Sequence, residues 1–333
     1  MKRIILMFVL CVMTVIGSAT AGTAGDNVDK SQWPDQLRFM AGPPGGTWFA
    51  LGGVVSEMWT REVAPATSGT GGGVSNIVNV DRMKGDMGLT VASVLGAARA
   101  GEEPFKSQMQ NAVLLANLYR QYTYFIVRKD YAEKNGITSV GDIVRKKLPI
   151  RMATLKPGTS SEFVIRSIFE KGFHSGWDAV KSWGGSVEFA SYSDGANLLA
   201  DNHIDMFAFA VGRKASIVMK IESQTDVVIL PVDEEARVAM SKALGTTTFT
   251  IDKEVYSSVT GDVPVVGDYT CIVMRGDLPE SLAGALAKSL WDKREELGAA
   301  VSDLKEMTAA EAVSEGIPAH PGAAAFWKTV SGK

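Results

Sequence analysis

Two cysteines, three histidines and no excess of basic charge set the first limits on this 333-residue chain. Cys11 falls in an N-terminal apolar stretch, which leaves Cys271 without an intramolecular partner. No disulfide then holds the fold, and a hydrophobic core must. His174, His203 and His320 stand in unrelated contexts, without an H-E-x-x-H pair or a cysteine companion, which argues against a metal site. Lys and Arg number 34 against 37 Asp and Glu, and no basic patch recommends nucleic acid. Neither the G-x-G-x-x-G of a dinucleotide fold nor a G-K-[ST] P-loop occurs, so nucleotide binding is disfavoured. No G-x-S-x-G elbow is present either, and Cys271 sits in an apolar run where an inert buried thiol is the default. No cofactor is implied. Beyond the N-terminus, no run is long and apolar enough to cross a bilayer.

That N-terminal run is distinctive. "MKRIILMFVLCVMTVIGSATAG" has two positive charges, a short apolar stretch and Ala19-Thr20-Ala21, the small-x-small pattern of a signal-peptidase site. Leu10 fills the place where a lipobox before Cys11 would need a small residue. The sequence therefore predicts an export signal over 1–21, followed by a polar tether over 22–34. About 310 residues remain, enough for two medium-sized cores.

Short apolar runs alternate with helical patterns along this remainder. Strands are predicted at Leu37 to Ala41, Met87 to Val91, Tyr124 to Val127, Ile150 to Ala153, Ile204 to Phe209, Val227 to Leu230 and Cys271 to Met274. Several are apolar on both faces, as in a mostly parallel sheet covered by helices on each side, so the class is α/β. A helix is expected from near Thr47, with Leu51, Val54, Val55, Met58 and Trp59 on one face. Thr159-Ser160-Ser161-Glu162 reads as a capping box with Gly172 as the C-terminal stop, and a third helix is expected from Ser75 or Asn76 to Lys84. "FMAGPPGGTWF" is echoed by "RMATLKPGTSSEF", and "GDMGLT" by "IDMFAF". Two similar α/β halves follow from that echo, not a solenoid.

Three glycine-containing loops carry the candidate chemistry. Gly42 to Gly46 joins a strand to a helix and leaves first-turn N–H groups bare, which suits a carboxylate or phosphate and equally suits a tight turn with no ligand. "SGTGGGVSN" (68–76) and "LKPGTSSE" (155–162) are the second and third. Thr159 and Ser75 have an alternative role as simple N-caps. Three such loops at the carboxyl ends of strands would meet in one crevice. Tyr119 lies at the loop end of an aromatic strand, while Trp48 serves either as an apolar wall or as a lid on the core. The candidate ligand residues are thus Gly45, Gly46, Thr47, Trp48, Gly73, Ser75, Asn76, Tyr119, Gly158, Thr159, Ser160 and Ser161.

In these strings the sequence resembles the TAXI family, the exported substrate-binding proteins of tripartite ATP-independent periplasmic (TRAP) transporters. The matching segments are Gly45-Gly46-Thr47-Trp48 with Leu51-Gly52-Gly53, Gly71 to Asn76, Gly85-Asp86, Pro157 to Glu162 and Ile317 to Gly322. The resemblance implies a type II periplasmic-binding-protein fold, two α/β lobes joined by two hinge strands at Phe125 to Arg128 and Cys271 to Arg275. Lobe 1 would be 35–127 with 272–333, and lobe 2 would be 128–271. It further implies a small carboxylate ligand of the amino acid or dicarboxylate class, a periplasmic location and a separate TRAP membrane subunit as partner. Trp48 stands where the family commonly has Tyr, Lys156 enters the loop before Gly158, and "GRKAS" lacks the usual proline after Gly212. Lys156 and Arg213 point to an anionic ligand. Two rivals remain from the sequence: a ligand-binding sensor component for a membrane kinase, and a secreted enzyme using His174 or His203 as base on a small organic acid.

Overall fold

Strand-forming runs, glycine turns and capped helices alternate along the chain twice over. The computed structural model describes residues 29–332; the predicted export signal and residues 22–28 lie outside the described residues. The first half runs β1 (Leu37–Met40), α1 (Thr47–Glu62), β2 (Ala66–Gly69), α2 (Gly73–Asp81), β3 (Met87–Val91) and α3 (Ala92–Ala100), and leads into the long strand β4 (Ala112–Arg128). Two short helices, α4 (Lys129–Asn135) and α5 (Val140–Arg145), precede β5 (Arg151–Thr154), α6 (Ser160–Ser167) with a π-helical turn Ile168–Gly172, α7 (Trp177–Ser182) and β6 (Ser186–Phe189). There follow α8 (Tyr192–Ala200), β7 (Met206–Val211), α9 (Ser216–Gln224), β8 (Val227–Ile229), α10 (Glu234–Leu244) and β9 (Thr247–Ile251). The second long strand, β10 (Val263–Arg275), leads to α11 (Glu280–Asp292), α12 (Arg294–Ala300), a 3₁₀ turn Ser302–Glu306 and α13 (Pro321–Ser331).

The strands form one mixed sheet in the order β2-β1-β3-β10-β4-β7-β5-β6, with β8 added to β4 and β9 to β10. It is less parallel than the sequence suggests. Pairing is parallel within each outer group, β2-β1-β3 and β7-β5-β6. The two long strands are antiparallel to each other and to β3 and β7. Each long strand changes partners midway: β4 pairs with β10 up to Tyr122 and with β7 from there, and β10 leaves β9 for β4 at Gly267. β3 and β7, covered on both faces, are buried at every residue.

The echo in the sequence is a structural duplication. Arg38 on β1 donates through Nε to Asp86 Oδ2 at 2.9 Å and through its backbone N–H to the same oxygen at 2.8 Å. Arg151 on β5 repeats both bonds to Asp205, at 3.0 and 2.9 Å. Each acid precedes the strand paired with the arginine's own strand, so the fork locks β1 to β3 and β5 to β7 at one register. Gly45 and Gly158 occupy matching places before α1 and α6, and both are left-handed, at φ +86° and +95°. Burial opposes the ionised form of Asp86, but hydrogen bonds from Arg38 and Arg275 outweigh it and hold the carboxyl below its ordinary range. A depressed folded-state pKa gives stability that is present above the unfolded value, near 4, and is lost as pH falls through the folded one. Asp86→Asn is therefore expected to lower the unfolding midpoint at pH 7 and to flatten its decline below about pH 4. Thermal melts across pH 2–7 check this, and parallel curves for the two proteins would refute it.

Local details depart from expectation for physical reasons. The third helix starts at Gly73 rather than after Ser75, and ends at Asp81. Only half of the capping box forms: Thr159 Oγ1 accepts from the Glu162 N–H at 3.2 Å, while the Glu162 carboxylate turns to Arg166 Nε at 2.9 Å. Gly172 does not turn left-handed; it ends the π-helical turn, and a Cβ there would come within 3.0 Å of Ala236 Cβ on α10. Its small size serves packing. Residues 29–34, read as tether, lie against the fold, with Trp33 Nε1 donating to Ser281 Oγ at 3.0 Å.

Candidate ligand-binding cleft

Four helices begin at one cavity where the two halves meet. α1 and α2 come from the first half, with Gly46 and Gly72 as N-caps and no side-chain cap on either. In their first turns the Phe49 N–H goes to the Gly46 carbonyl and the Ser75 N–H to the Gly158 carbonyl, which leaves those of Thr47, Trp48, Gly73 and Val74 to face outward from the helix starts. α6 and α8 come from the second half, and their caps Thr159 and Ser191 accept only from Glu162 and Asp194, deeper in each turn. The cavity has an empty volume of about 400 Å³, and its lining includes Gly46, Thr47, Trp48, Gly72, Gly73, Thr159, Ser160, Ser161 and Tyr192. That volume includes space open to solvent, and the room left for water-sized molecules is about 20 Å³, enough for about one water, so the halves stand nearly closed on each other. Among the described residues no Lys, Arg, Asp, Glu or His lines the cavity. The four converging helix N-termini favour negative charge inside.

The halves touch around this space with little clearance. A Cβ on Gly46 would stand 2.8 Å from Tyr192 Cε2, one on Gly72 2.7 Å from the Gly158 carbonyl, and one on Gly73 2.7 Å from Ser160 Cβ. The Ser75 N–H donates to the Gly158 carbonyl at 3.1 Å across the same boundary. Gly73→Ala is expected to prop the halves apart and weaken ligand binding about tenfold, an overpacking cost of about 1–2 kcal/mol. Ser160→Gly in the same chain should restore part of the loss. Titration calorimetry on the single and double variants reads this, and additive losses would sink it.

Side chains from the long strands form the floor. Trp48 Nε1 donates to Thr270 Oγ1 at 3.3 Å, and Tyr119 lies across the strand pair from Thr270. Burial, with Asp303 nearby, pushes the Tyr119 phenol far above its ordinary value, so it is a neutral group. Its hydroxyl and the Gln121 Oε1 are both buried without a hydrogen bond of good geometry. Ser161 Oγ is committed, donating to the Ala210 carbonyl at 3.0 Å and accepting from the Ala210 N–H at 3.1 Å, which fixes α6 to β7.

Of the twelve residues singled out from sequence, Gly46, Thr47, Trp48, Gly73, Tyr119, Thr159, Ser160 and Ser161 line the cavity. Gly45, Ser75, Asn76 and Gly158 stand behind that lining. Gly45 and Gly158 supply the left-handed turns, and Ser75 Oγ donates back to the Gly72 carbonyl at 2.9 Å. Asn76 is wholly buried, its amide donating to the Met40, Ala41 and Leu89 carbonyls and accepting from the Gly72 N–H. Lys156 is exposed, and Arg213 pairs with Asp252, so neither cation reaches the cavity. Cys271 is buried, its thiol pushed well above the ordinary range by burial and then by Asp268. His320 caps α13 through Nδ1, while His174 and His203 lie off the lining. The lining also holds Pro43, Gly72, Gln121, Leu155, Tyr192 and Ala210 to Gly212, which the sequence does not single out; strand pairing brings in Gln121 and Ala210 to Gly212, while Tyr192 opens α8.

A duplicated α/β chain with two long crossing strands and a cleft between the halves has the two-lobe fold of the periplasmic binding proteins. MatC (Rpa3494) from Rhodopseudomonas palustris with bound malate superposes at a TM-score of 0.54, with 13% identity over 90% of this chain and 97% of that one. The periplasmic binding protein BugD gives 0.52, with 14% identity over 90% and 94%. XAC2383 from Xanthomonas citri bound to chloride ion gives 0.50, with 12% identity over 90% and 97%. The sequence matches the NMT1-like family over residues 39–330, and the chain belongs to that family. Among the described residues no helix is long and apolar enough to cross a membrane.

Proposed function

We propose that this protein is an exported solute receptor that captures a small carboxylate, of the amino acid or dicarboxylate class, and delivers it to a TRAP-type membrane transporter. One observation carries the reading: four helix N-termini converge on a cavity lined by no ionisable acid or base other than tyrosine. The first-turn N–H groups of α1 and α6, from opposite halves, would hold the carboxylate oxygens, with Tyr119 and Gln121 meeting the rest. Malate in MatC and chloride in XAC2383 are both anions, which supports the same class here. The TAXI resemblance supports the transporter partner, and the predicted export signal supports a periplasmic location.

The lobes would exchange at residues 120–122 of β4 and 267–270 of β10, where each strand changes partners, several residues before the hinges implied by the resemblance. Ligand would touch both lobes only in the closed form, so it favours closure by its differential affinity for that form. The transporter then reads the closed surface. His174 and His203 have no place at the cavity, so binding is favoured over catalysis.

A thermal-shift panel of mono- and dicarboxylates, amino acids and sugars tests the class. A ligand at about 100 times its Kd adds about 2.7 kcal/mol to the folded state, a rise of several degrees. A rise with a carboxylate is expected. A rise with a sugar or a cation and none with any acid would overturn the reading.

A further inference from the structure

Behind the cavity wall lies a carboxylate that this binding scheme leaves unused. Gly212, after β7, lines the cavity, and a Cβ at that position would overlap the carboxylate of Asp303. Asp303 belongs to the 3₁₀ turn that follows α12, so it reaches Gly212 from the far part of the chain and is only 8% exposed. The tyrosines Tyr119 and Tyr124 of β4 and Tyr256 before β10 all feel its charge, and Glu306 adds a second acid on the same turn. The neighbouring cations are engaged elsewhere. Arg213 pairs with Asp252, and Arg120 reaches Glu311 at 3.4 Å while its backbone N–H donates to Glu306 Oε2 at 3.4 Å. The Tyr124 and Tyr256 hydroxyls donate to the Arg213 carbonyl at 2.8 and 3.0 Å and clamp the 212–213 backbone in place against the acid.

An anion in the cavity and an ionised Asp303 would then face each other across one glycine, with no cation between them. In a buried setting that repulsion is relieved at least cost by a proton on the acid. Resting on the carboxylate reading above, we propose that Asp303 is a proton-uptake site linked to ligand capture, so that closing on an anionic ligand takes up one proton at this carboxyl. The tendency exists without ligand: burial, and then Glu306, push the Asp303 carboxyl up to about 6. The sign follows from linkage. An acid whose pKa is higher in the bound form gives an affinity that is greatest at low pH and declines as pH rises toward the bound-form pKa.

Titration calorimetry with L-malate and with L-glutamate, from pH 5.5 to 8 in buffers of different ionisation heat, reads the proton directly. For the wild type the affinity for the acid that binds is expected to fall about tenfold from pH 5.5 to 7.5, with proton uptake largest between about pH 6 and 7 and smaller at pH 5.5, where the free carboxyl already holds most of its proton. Asp303→Asn, of equal size, should bind without uptake and with a flat profile, while Glu306→Gln keeps most of the dependence. Binding without proton uptake, or equal slopes in wild type and Asp303→Asn, would overturn the proton linkage and leave the carboxylate reading standing. Failure of folded wild type to bind either acid, together with a thermal shift from a sugar alone, would overturn both.

Discussion

Gly46→Val is expected to weaken ligand binding about 100-fold and to leave the unfolding midpoint within a few degrees of wild type. Gly46 is the N-cap of α1 with φ −99° and ψ 158°, extended backbone that valine adopts without strain. The first half can therefore fold around the substitution. The conflict arises only when the halves close, because the new Cβ would stand 2.8 Å from Tyr192 Cε2 and its methyl groups would enter the ligand space. An overpacking cost of about 3 kcal/mol confined to the closed form is a factor of about 100 in affinity. Gly53→Val is the control: it lies on the same helix, and a Cβ there meets nothing within 4 Å. It should gain a little helix propensity, since valine forms helix better than glycine, and leave affinity unchanged. Tyr192→Ala combined with Gly46→Val should recover part of the loss. Calorimetric titration with the carboxylate found in the thermal panel measures all four proteins, and unchanged affinity in Gly46→Val would remove this loop from the site.

What the sequence disclosed of this architecture is what is local in it. α1 and the cap of α6 are set by glycine, threonine and a 3.6-residue apolar period, and these can be read within a dozen residues. β2 (ATSG), β6 (SVEF) and β9 (TTFTI) escaped because little in them is apolar or buried, and their strand character comes from pairing with a neighbour. The long strands were seen only in part. β4 carries Asn117, Arg120 and Gln121 where it passes from one group of strands to the other, and this polar interruption masks a continuous 17-residue strand.

The site divides along the same line. Glycine loops and helix caps announce themselves, so eight cavity residues were found, whereas Gln121 and Ala210 to Gly212 arrive through β-pairing and carry no local mark. Tyr192 had a signal that went unused. The echo between Asp86 and Asp205, carried back along the chain at constant offset, pairs Gly73 with Tyr192, and each is the first residue of its helix. An aromatic ring in one half thus stands where the other half has only a hydrogen, and the two halves of the cavity differ in shape for that reason.

Asn76→Leu is expected to destabilise the fold by about 4 kcal/mol or more, the largest stability effect of any single substitution proposed for this chain. The side chain is 0% exposed, and its Nδ2 lies 3.0, 2.8 and 2.7 Å from the carbonyls of Met40, Ala41 and Leu89. Its Oδ1 accepts from the Gly72 N–H at 3.1 Å. One amide thereby ties the end of β1, the middle of β3 and the loop that launches α2. Leucine matches the volume and adds apolar burial, but it leaves those carbonyls and the N–H unpaired, at about 1–3 kcal/mol for each group that finds no other partner. Asn76→Asp is expected to be as damaging, since a carboxylate would face three carbonyl oxygens with no proton to offer at neutral pH. The alternative, that Asn76 orients the ligand, makes the opposite forecast: affinity would fall while stability held. Urea unfolding and calorimetric titration on Asn76→Leu separate the two. With both hydrogens and the oxygen of the amide already bound to backbone, the loss should register first in the unfolding midpoint, and in affinity only through the displaced N-terminus of α2.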